Sequence, residues 1–317
     1  MSTPQTSPNT AQKFAGTEPG RAIEFTCNLC GKANRRTAAE LGRENRSCFS
    51  CGSSVRVRGL VRSLALELFG TNLILPDFPR VKSIRGIGTS DTAQYAPLLA
   101  EKFDYRNTFF DRAPQFDITS PPEGECGQYD FIISSEVFEH VRPPVEAAFA
   151  NVCRLLKPNG VFVLTVPYSL EDHTLERFPE LHEYTVTRLG QTTVLVNRTR
   201  AGLLQVFDNL IFHFGGGATL EMREFSERDL MTTLAEAGFE QVHVYGESFE
   251  PFGVLYPEPW SLPIAARRGS FALSLESTRE IINDRAELCS AVHRASDDLQ
   301  HLNRALWVRL GRKLGLA

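Results

Sequence analysis

The sequence predicts an α/β protein with a small metal-binding module before its sheet and a long helix after it. Three observations lead to this prediction. Four cysteines form two C-x-x-C pairs near the N-terminus, short apolar segments alternate with amphipathic ones from Val81 onward, and a seven-residue apolar repeat begins at Ile281. Apolar segments that alternate with helical segments indicate a parallel sheet built from crossover units.

Length and composition exclude several classes of protein. A chain of 317 residues can form one large domain and a small one, and its net charge of −4 gives no overall attraction to nucleic acid. Its longest apolar run, Gly160 to Pro167, has the length of a strand, far from the roughly 20 residues that span a bilayer. Residues 1–20 are polar, without the apolar centre of a signal peptide, so we expect a disordered leader and a cytoplasmic protein.

The cysteine pairs predict a structural zinc ribbon, which together with a linking helix occupies residues 21–70. The pairs are Cys27 with Cys30 and Cys48 with Cys51; a glycine follows the second cysteine of each pair, and 17 residues separate the two pairs. Two such pairs at this separation favour a four-thiolate zinc site over a redox dithiol or reduced thiols without metal. Four thiolates leave no open coordination position, so the metal is expected to be structural.

The ribbon and the helix after it carry a local excess of positive charge. Nine Lys and Arg and four Asp and Glu lie between Arg21 and Leu68, a balance of +5. Such a segment could contact phosphates. The alternative, which we favour, is that Arg56, Arg58 and Arg62 keep one side of a helix from about Val57 to Phe69 in water.

A glycine turn after the first sheet strand predicts a cofactor site. Gly86-Ile87-Gly88 precedes a predicted helix from Thr92 to Lys102, with Asp91 and Gln94 in capping-box spacing. Such a turn lets backbone N–H groups approach a carboxylate or phosphate. Further along, the sequence predicts a strand from Tyr129 to Ser135, a helix from Pro143 to Leu156 and a strand from Val161 to Val166.

The segments Tyr129 to Val141 and Arg154 to Gly160 resemble class I S-adenosylmethionine-dependent methyltransferases of the type 11 kind. The resemblance covers about Val81 to Tyr168, and Glu139-His140-Val141 followed by Leu-Lys-Pro-Asn-Gly is its most specific part. It implies a Rossmann-like, seven-stranded methyltransferase sheet over residues 71–273.

The resemblance also implies which residues bind S-adenosylmethionine. The methionine end would lie over Gly86, Gly88, Ser90 and Asp91. The adenine would be capped by Asp117 and Ile118, after the third strand region. The pocket near the transferred methyl would be lined by Ser135 and Glu136, at the end of the fourth strand.

The chain departs from the family pattern in two places. Ile84 or Arg85 stands where the family has an acidic residue, and Ser90 replaces the third glycine of the motif. Asp91, on the same turn, could replace the missing carboxylate. The ribose contact is open between Asp111 and Asn107.

Residues 169–224 form an insertion where such folds carry a substrate-selecting lid. It contains a predicted hairpin through Thr192 to Asn197 and three glycines after His213, which suit either a closing loop or a plain surface turn. A hydroxyl or amine acceptor often needs a base. His140 and His182 are the first candidates, and the others are His213, Glu183 and Tyr184.

Two helices and two strands complete the chain. Ser226 predicts the start of a helix that ends at Gly238, and strands are expected at Gln241 to Tyr245 and near Ser270 to Leu273. Over residues 274–317 the apolar repeat predicts an amphipathic helix, which either packs on the domain or forms a weak homodimer.

The sequence therefore predicts methyl transfer from S-adenosylmethionine to a small acceptor. By analogy with methyltransferases that carry a short cysteine module, the acceptor is expected to be a saccharide or a nucleotide-linked sugar. The alternatives are an RNA methyltransferase whose ribbon contacts phosphates, and a non-catalytic scaffold. No membrane partner is expected.

Overall fold

The computed structural model describes residues 18–214, 218–270 and 272–313. The predicted disordered leader thus lies outside the described residues, apart from its last three positions. The N-terminal module is a hairpin of two antiparallel strands, β1 Ala22–Thr26 and β2 Ala33–Thr37, followed by helix α1 Val55–Phe69. Ser54 caps the N-terminus of α1, since its hydroxyl accepts from Val57 N. Gly70, with a φ of 68°, caps the C-terminus.

The centre of the molecule is a mixed sheet of six strands between helices, which confirms the predicted α/β class. The strands are β3 Val81–Thr89, β4 Phe103–Thr108, β5 Tyr129–Ser135, β6 Leu156–Thr165, β15 Gln241–Val244 and β16 Ile264–Arg267. They lie in the order β15-β16-β6-β5-β3-β4. The first four are parallel, whereas β16 is antiparallel to both β6 and β15. Seven strands were expected, and six are present in this sheet among the described residues.

Three shorter helices lie on the sheet: α2 Ala96–Lys102, α3 Glu146–Leu155 and α4 Glu227–Glu236. The first two begin later than predicted. Residues Thr92 to Tyr95 form a turn, because the Asp91 side chain faces inward and does not cap a helix. α3 starts only after Pro143 and Pro144, because a residue that precedes a proline is disfavoured in the helical conformation. Ser226 caps α4 as predicted, with its hydroxyl accepting from Asp229 N at 3.0 Å.

The last sheet strand is β16, not the segment near Ser270 to Leu273 that the sequence predicted. The reason is burial: Ile264, Ala265 and Ala266 are almost fully buried against β6, whereas the segment after Arg267 leaves the sheet. Position 271 lies outside the described residues.

The insertion over residues 169–224 has its own small core of Phe178, Leu195, Leu220 and Met222. Its longest strands form the predicted hairpin, now bounded as β9 and β10. The strands in and beside the insertion are β7 Tyr168–Ser169, β8 Leu175–Glu176, β9 Glu183–Leu189, β10 Thr192–Arg198, β11 Leu204–Phe207, β12 Phe212–Phe214, β13 Ala218–Leu220 and β14 Arg223–Ser226. The three-glycine loop proposed as a closing loop, residues 215–217, lies outside the described residues.

The C-terminal helix is α5 Leu275–Lys313, 39 residues long. Its first turns pack against β3, where Glu280 accepts from the backbone N and hydroxyl of Ser83. Beyond Arg285, every described side chain up to residue 303 is exposed. No helix in the described ranges is both long and apolar enough to cross a bilayer.

Candidate functional sites

The four ribbon cysteines form a compact sulfur cluster. The Sγ atoms of Cys27 and Cys51 are 3.6 Å apart, those of Cys30 and Cys48 are 3.7 Å apart, and all four lie within 4.8 Å of one another. A tetrahedral zinc with Zn–S bonds of about 2.3 Å requires sulfur separations of about 3.8 Å. The donor set therefore fits a structural zinc, as predicted.

A buried arginine supports this cluster. Arg58 is fully buried, and its guanidinium donates to the backbone oxygens of Ser53 and Gly253 at 2.7 and 2.8 Å and to the Ser47 hydroxyl at 2.9 Å. Burial lowers the pKa of Arg58, while the nearby cysteine sulfurs act in the opposite direction. Because four thiolates exceed the charge of one zinc ion, a guanidinium beside them stabilises the site.

The expectation that α1 presents its arginines to water is wrong. Arg58 and Arg62 are only 0% and 8% exposed. Arg62 donates to the Asn72 side chain and lies over the Phe249 ring. Arg56 faces the opposite way from Arg58, toward the carboxyl end of the sheet. One alternating Arg-Val-Arg segment thus serves two different sites.

The two motif glycines lie inside strand β3, not in the turn after it. β3 is hydrogen-bonded on both sides, to β4 and to β5, through Gly86 and Gly88. A Cβ at Gly86 would overlap the Phe131 ring, and one at Gly88 would overlap Asp91 and the Tyr105 hydroxyl. Both glycines are therefore required by packing below the candidate cofactor turn.

The turn itself runs from Thr89 to Thr92. Ser90 has a φ of 59°, the left-handed conformation that the family's glycine would adopt freely. Asn107 holds the turn from β4: its Oδ1 accepts from Asp91 N at 2.9 Å, and its amide donates to Asp91 O at 2.8 Å. Asn107, a candidate for the ribose contact, thus orders this backbone.

The Asp91 carboxylate faces the protein interior. It accepts hydrogen bonds from the hydroxyls of Tyr95, at 2.7 Å, and Tyr105. Burial raises the pKa of Asp91 to about 7, although both hydroxyl hydrogen bonds oppose the shift. The carboxylate expected at the cofactor's amino group is therefore engaged with two tyrosines.

A groove of about 380 Å³ lies beside this turn, between α2 and the edge strand β4. Its volume is within the range of about 300–1,000 Å³ that is usual for small-ligand pockets. The residues that line it are Asp91, Ala93, Ala96, Pro97, Ala100, Tyr105, Asn107, Phe109 and Arg112.

Two further cofactor candidates, Asp117 and Ile118, lie in the segment after β4. Asp117 accepts from the backbone N and hydroxyl of Thr119 at 2.8 and 2.7 Å, and Ile118 is 7% exposed. Asp111, the second ribose candidate, is exposed and lies 3.7 Å from Arg112.

Ser135, the last residue of β5, and Glu136 after it meet the ribbon at this strand end. Arg43 forms a two-pronged ion pair with Glu136, at 2.8 and 3.3 Å, and Arg56 contacts the Ser135 hydroxyl. Burial raises the pKa of Glu136, but the charges of Arg43 and Arg56 outweigh it, so the pKa lies below its ordinary value. Glu136 is therefore ionised at neutral pH. No local pattern predicts the role of Arg43, because the contact spans 93 residues.

The next turn, Phe138–His140, supplies a buried acid and a histidine. Glu139 is 1% exposed, and neither carboxylate oxygen has a hydrogen-bond partner in the described part of the chain. Burial, with the charge of Glu136, raises its pKa well above the ordinary value. One Glu139 oxygen lies 3.6 Å from Nε2 of His140, whose Nδ1 lies 2.9 Å from Leu220 O.

These contacts fix the state of His140. A carbonyl can only accept, so Nδ1 carries the proton and Nε2 has a free lone pair. Burial lowers the pKa of His140, which keeps the ring neutral at pH 7. The His213 ring centroid is 5.4 Å away, and His213 Nε2 contacts Glu221 at 2.5 Å. His140, His213 and Glu139 are thus brought together.

The remaining base candidates lie within residues 169–224, the segment expected to form a lid. His182 is exposed, and its backbone N donates to Oδ1 of Asn197 at 2.9 Å. Glu183 and Tyr184 begin strand β9 and pair with Arg198 and Asn197 of β10. Of the predicted catalytic candidates, His140 is the one beside Glu139 and the strand end that carries Glu136.

Comparison with known proteins supports this interpretation of the sheet. A family model described as a methyltransferase domain matches residues 71–244, more than half of the chain. No curated protein matches the chain.

Solved structures of similar arrangement include the amino pentose methyltransferase CalS10 from Micromonospora echinaspora, at 16% identity and a TM-score of 0.39, covering 69% of this chain and 93% of that one. The sugar N-methyltransferase KedS8 from Streptoalloteichus sp ATCC 53650 is 15% identical, with a TM-score of 0.35 and coverages of 59% and 81%. The CMeT domain of the citrinin polyketide synthase is 14% identical, with a TM-score of 0.35; 59% of this chain matches 47% of that one, about half its length. These values carry no argument about the acceptor.

Proposed function

The chain belongs to the methyltransferase-domain family, as the resemblance around Glu139 to Val141 implied, and we propose that it methylates a saccharide or a nucleotide-linked sugar. It is an S-adenosylmethionine-dependent methyltransferase with a cysteine cluster that fits structural zinc. The acceptor class rests on one observation: the polar cluster at the carboxyl ends of β5 and β6 has balanced charge. Arg43 and Arg56 are matched there by Glu44 and Glu136. An array of paired donors and acceptors without excess charge suits sugar hydroxyls.

We assign the cofactor contacts as follows. Ser90 and Asp91 would hold the amino-acid end through the turn, above the packed glycines Gly86 and Gly88. Asp117 and Ile118 would lie at the adenine, and Ser135 and Glu136 near the methyl group. Bound there, S-adenosylmethionine supplies a methyl carbon activated by the adjacent sulfonium charge.

His140 is our candidate for the base. An acceptor hydroxyl that attacks the methyl carbon must lose its proton, and the free lone pair of His140 Nε2 can take it. Oε1 of the buried Glu139 lies 3.6 Å from the same nitrogen. His182 is the weaker candidate, because it would have to reach the cluster from an exposed position in the lid.

The ribbon gives less support to the RNA alternative than its +5 balance suggested. Arg58 and Arg62 are buried, Arg43 and Arg56 pair with carboxylates, and Arg36 contacts Glu40. Phosphate binding needs cations that are free to displace counterions. The scaffold alternative does not account for Glu139, which is buried without a hydrogen-bond partner among the described residues and lies beside a neutral histidine.

We also propose a cytoplasmic location, because a four-thiolate zinc site is favoured where thiols stay reduced. A homodimer through α5 is proposed as well, since the described part of that helix beyond Arg285 packs on nothing in its own chain.

The function is tested with labelled methyl groups. Wild type, His140→Asn and the surface control Glu236→Gln are incubated with methyl-labelled S-adenosylmethionine and either nucleoside diphosphate sugars, free sugars or total RNA. We expect transfer to sugars, lowered on the order of 10²–10⁴-fold in His140→Asn with unchanged affinity for S-adenosylhomocysteine. Salt-sensitive transfer to RNA alone would refute the saccharide assignment, and a full rate in His140→Asn would refute the base.

A further inference from the structure

We propose that Arg43 and Arg56 are positioning residues of the methyl-transfer site, which hold Glu136 from the zinc ribbon and make the ribbon one wall of that site. This inference rests on the proposed role of Glu136 near the transferred methyl. It assigns the ribbon a part in cofactor binding beyond folding its own segment.

Arg43 lies in the loop between the two cysteine pairs and is anchored at both ends of its guanidinium. Its Nη2 and Nη1 reach Oε1 and Oε2 of Glu136, at 2.8 and 3.3 Å. Its Nε donates to the backbone oxygen of Ser261 at 3.0 Å. Two parallel hydrogen bonds fix both the position and the plane of the carboxylate, which a single lysine-type contact does not do.

Arg56 approaches the same carboxylate from the first turn of α1. Its Nε lies 3.9 Å from Glu136 Oε1 and donates to Glu44 at 2.8 and 3.0 Å, while Nη1 contacts the Ser135 hydroxyl. Ser135 in turn bonds Thr165 at the end of β6, 2.9 Å away. Ser135 and Glu136, at the end of β5, are therefore both bound to the ribbon and its helix.

Glu136 needs such support because its own backbone does not favour this conformation. Its φ is 55°, a left-handed value that is unfavourable for a residue with a side chain. Only 22% of its side chain is exposed, so its charge is largely removed from water. Strain and burial persist at a functional position only when neighbouring contacts fix them.

Arg43 and Arg56 are not required by the metal. Arg58, two residues after Arg56, already supplies the cation beside the thiolates and donates to the backbone oxygens of Ser53 and Gly253. Gln94, after the cofactor turn, also donates to the backbone oxygen of Cys51 at 3.0 Å. The ribbon thus touches both strand ends between which the cofactor would lie.

The experiment measures affinity for S-adenosylmethionine by calorimetry on the full, zinc-loaded chain between pH 5 and 8. The variants are Arg43→Gln, Arg43→Lys, Glu136→Gln and the Arg43→Gln/Glu136→Gln double. Arg35→Gln is the matched control, a ribbon arginine whose side chain is 72% exposed. Zinc content and far-ultraviolet dichroism confirm that each variant is folded.

We expect Arg43→Gln and Glu136→Gln each to weaken binding on the order of tenfold, the effect of losing one charged hydrogen-bond partner. The double variant should be no weaker than the worse single one, and Arg43→Lys should recover part of the loss. The pH dependence should also change. The charged and titratable groups that act on Glu136 or feel its charge are Arg43, Arg56, Glu139 and His140, so without Arg43 its protonation, and the loss of affinity, should move to higher pH.

Each other outcome is decisive. If wild type does not bind S-adenosylmethionine, the proposed function fails. If it binds and Glu136→Gln is weak while Arg43→Gln matches Arg35→Gln, only the positioning role is overturned. If the losses of affinity in the two single variants add in the double variant and the fall of affinity at low pH is unchanged, Arg43 acts through stability alone. Normal binding by Glu136→Gln would also overturn the inference.

Discussion

Asp91→Asn should change how the stability of this protein depends on pH. The Asp91 carboxyl is buried between Tyr95 and Tyr105, and burial raises its pKa from 3.8 to about 7. The folded state therefore retains a proton that the unfolded chain loses near pH 4. Stability from this group is complete below pH 4 and is lost as the pH rises toward 7.

The size of the effect follows from the shift. Roughly three pH units at about 1.4 kcal/mol each give a loss of roughly 4 kcal/mol, at a slope of about 1.4 kcal/mol per unit. An asparagine resembles the neutral acid and cannot ionise, so Asp91→Asn should lack this slope.

Urea unfolding at fixed excess zinc, followed by tryptophan fluorescence between pH 5 and 8, measures the difference between variant and wild type. The difference removes the pH dependence of the thiolates, which both proteins share. Asp104→Asn, on the exposed side of β4, is the matched control. A difference in free energy that stays constant from pH 5 to 7, or that grows in favour of wild type, would refute the reasoning.

The other predictions concern metal, packing and assembly. Metal analysis should give one zinc per chain, and Cys48→Ala should lose it together with the ribbon's resistance to proteolysis; a metal-free wild type would contradict the site. Gly86→Ala should lower the free energy of unfolding by about 1–3 kcal/mol, because its Cβ would overlap the Phe131 ring, and an unchanged thermal midpoint would contradict that packing. Replacing Val292 and Leu299 by Glu should convert a dimer to a monomer in light scattering, whereas Ser290→Glu on another face should not; a monomeric wild type would end the proposal.

The sequence predicted the parts of this protein that depend on local pattern. The cysteine spacing, the strand Tyr129–Ser135 and the cap at Ser226 each depend on neighbouring residues, and the structure has all three. The sequence predicted element boundaries less well where a side chain contacts a residue that is distant along the chain. The start of α2 was misplaced because Asp91 turns toward Tyr105, 14 residues away, instead of capping a helix.

The candidate site shows the same limit. The residues after β5 could be identified because a family motif marks them, but the ribbon loop that carries Arg43 has no motif of its own. Arg56 was expected in water because an arginine on a predicted helix is usually solvated. Its partners, Glu44 and Ser135, lie 12 and 79 residues away.

The arrangement also explains how the chain can depart from its family's glycine pattern. The family's acidic position is occupied by Ile84 or Arg85, and Gly86 is needed beneath Phe131, so this strand offers no carboxylate to a ligand. Glu136, at the end of the neighbouring strand β5, has an ionised carboxylate, and the guanidinium of Arg43 from the ribbon holds it there. In the proposed site, Glu136 would thus supply a carboxylate near the transferred methyl, provided that the ribbon is folded. Loss of the metal should therefore weaken cofactor binding even while the central sheet remains intact.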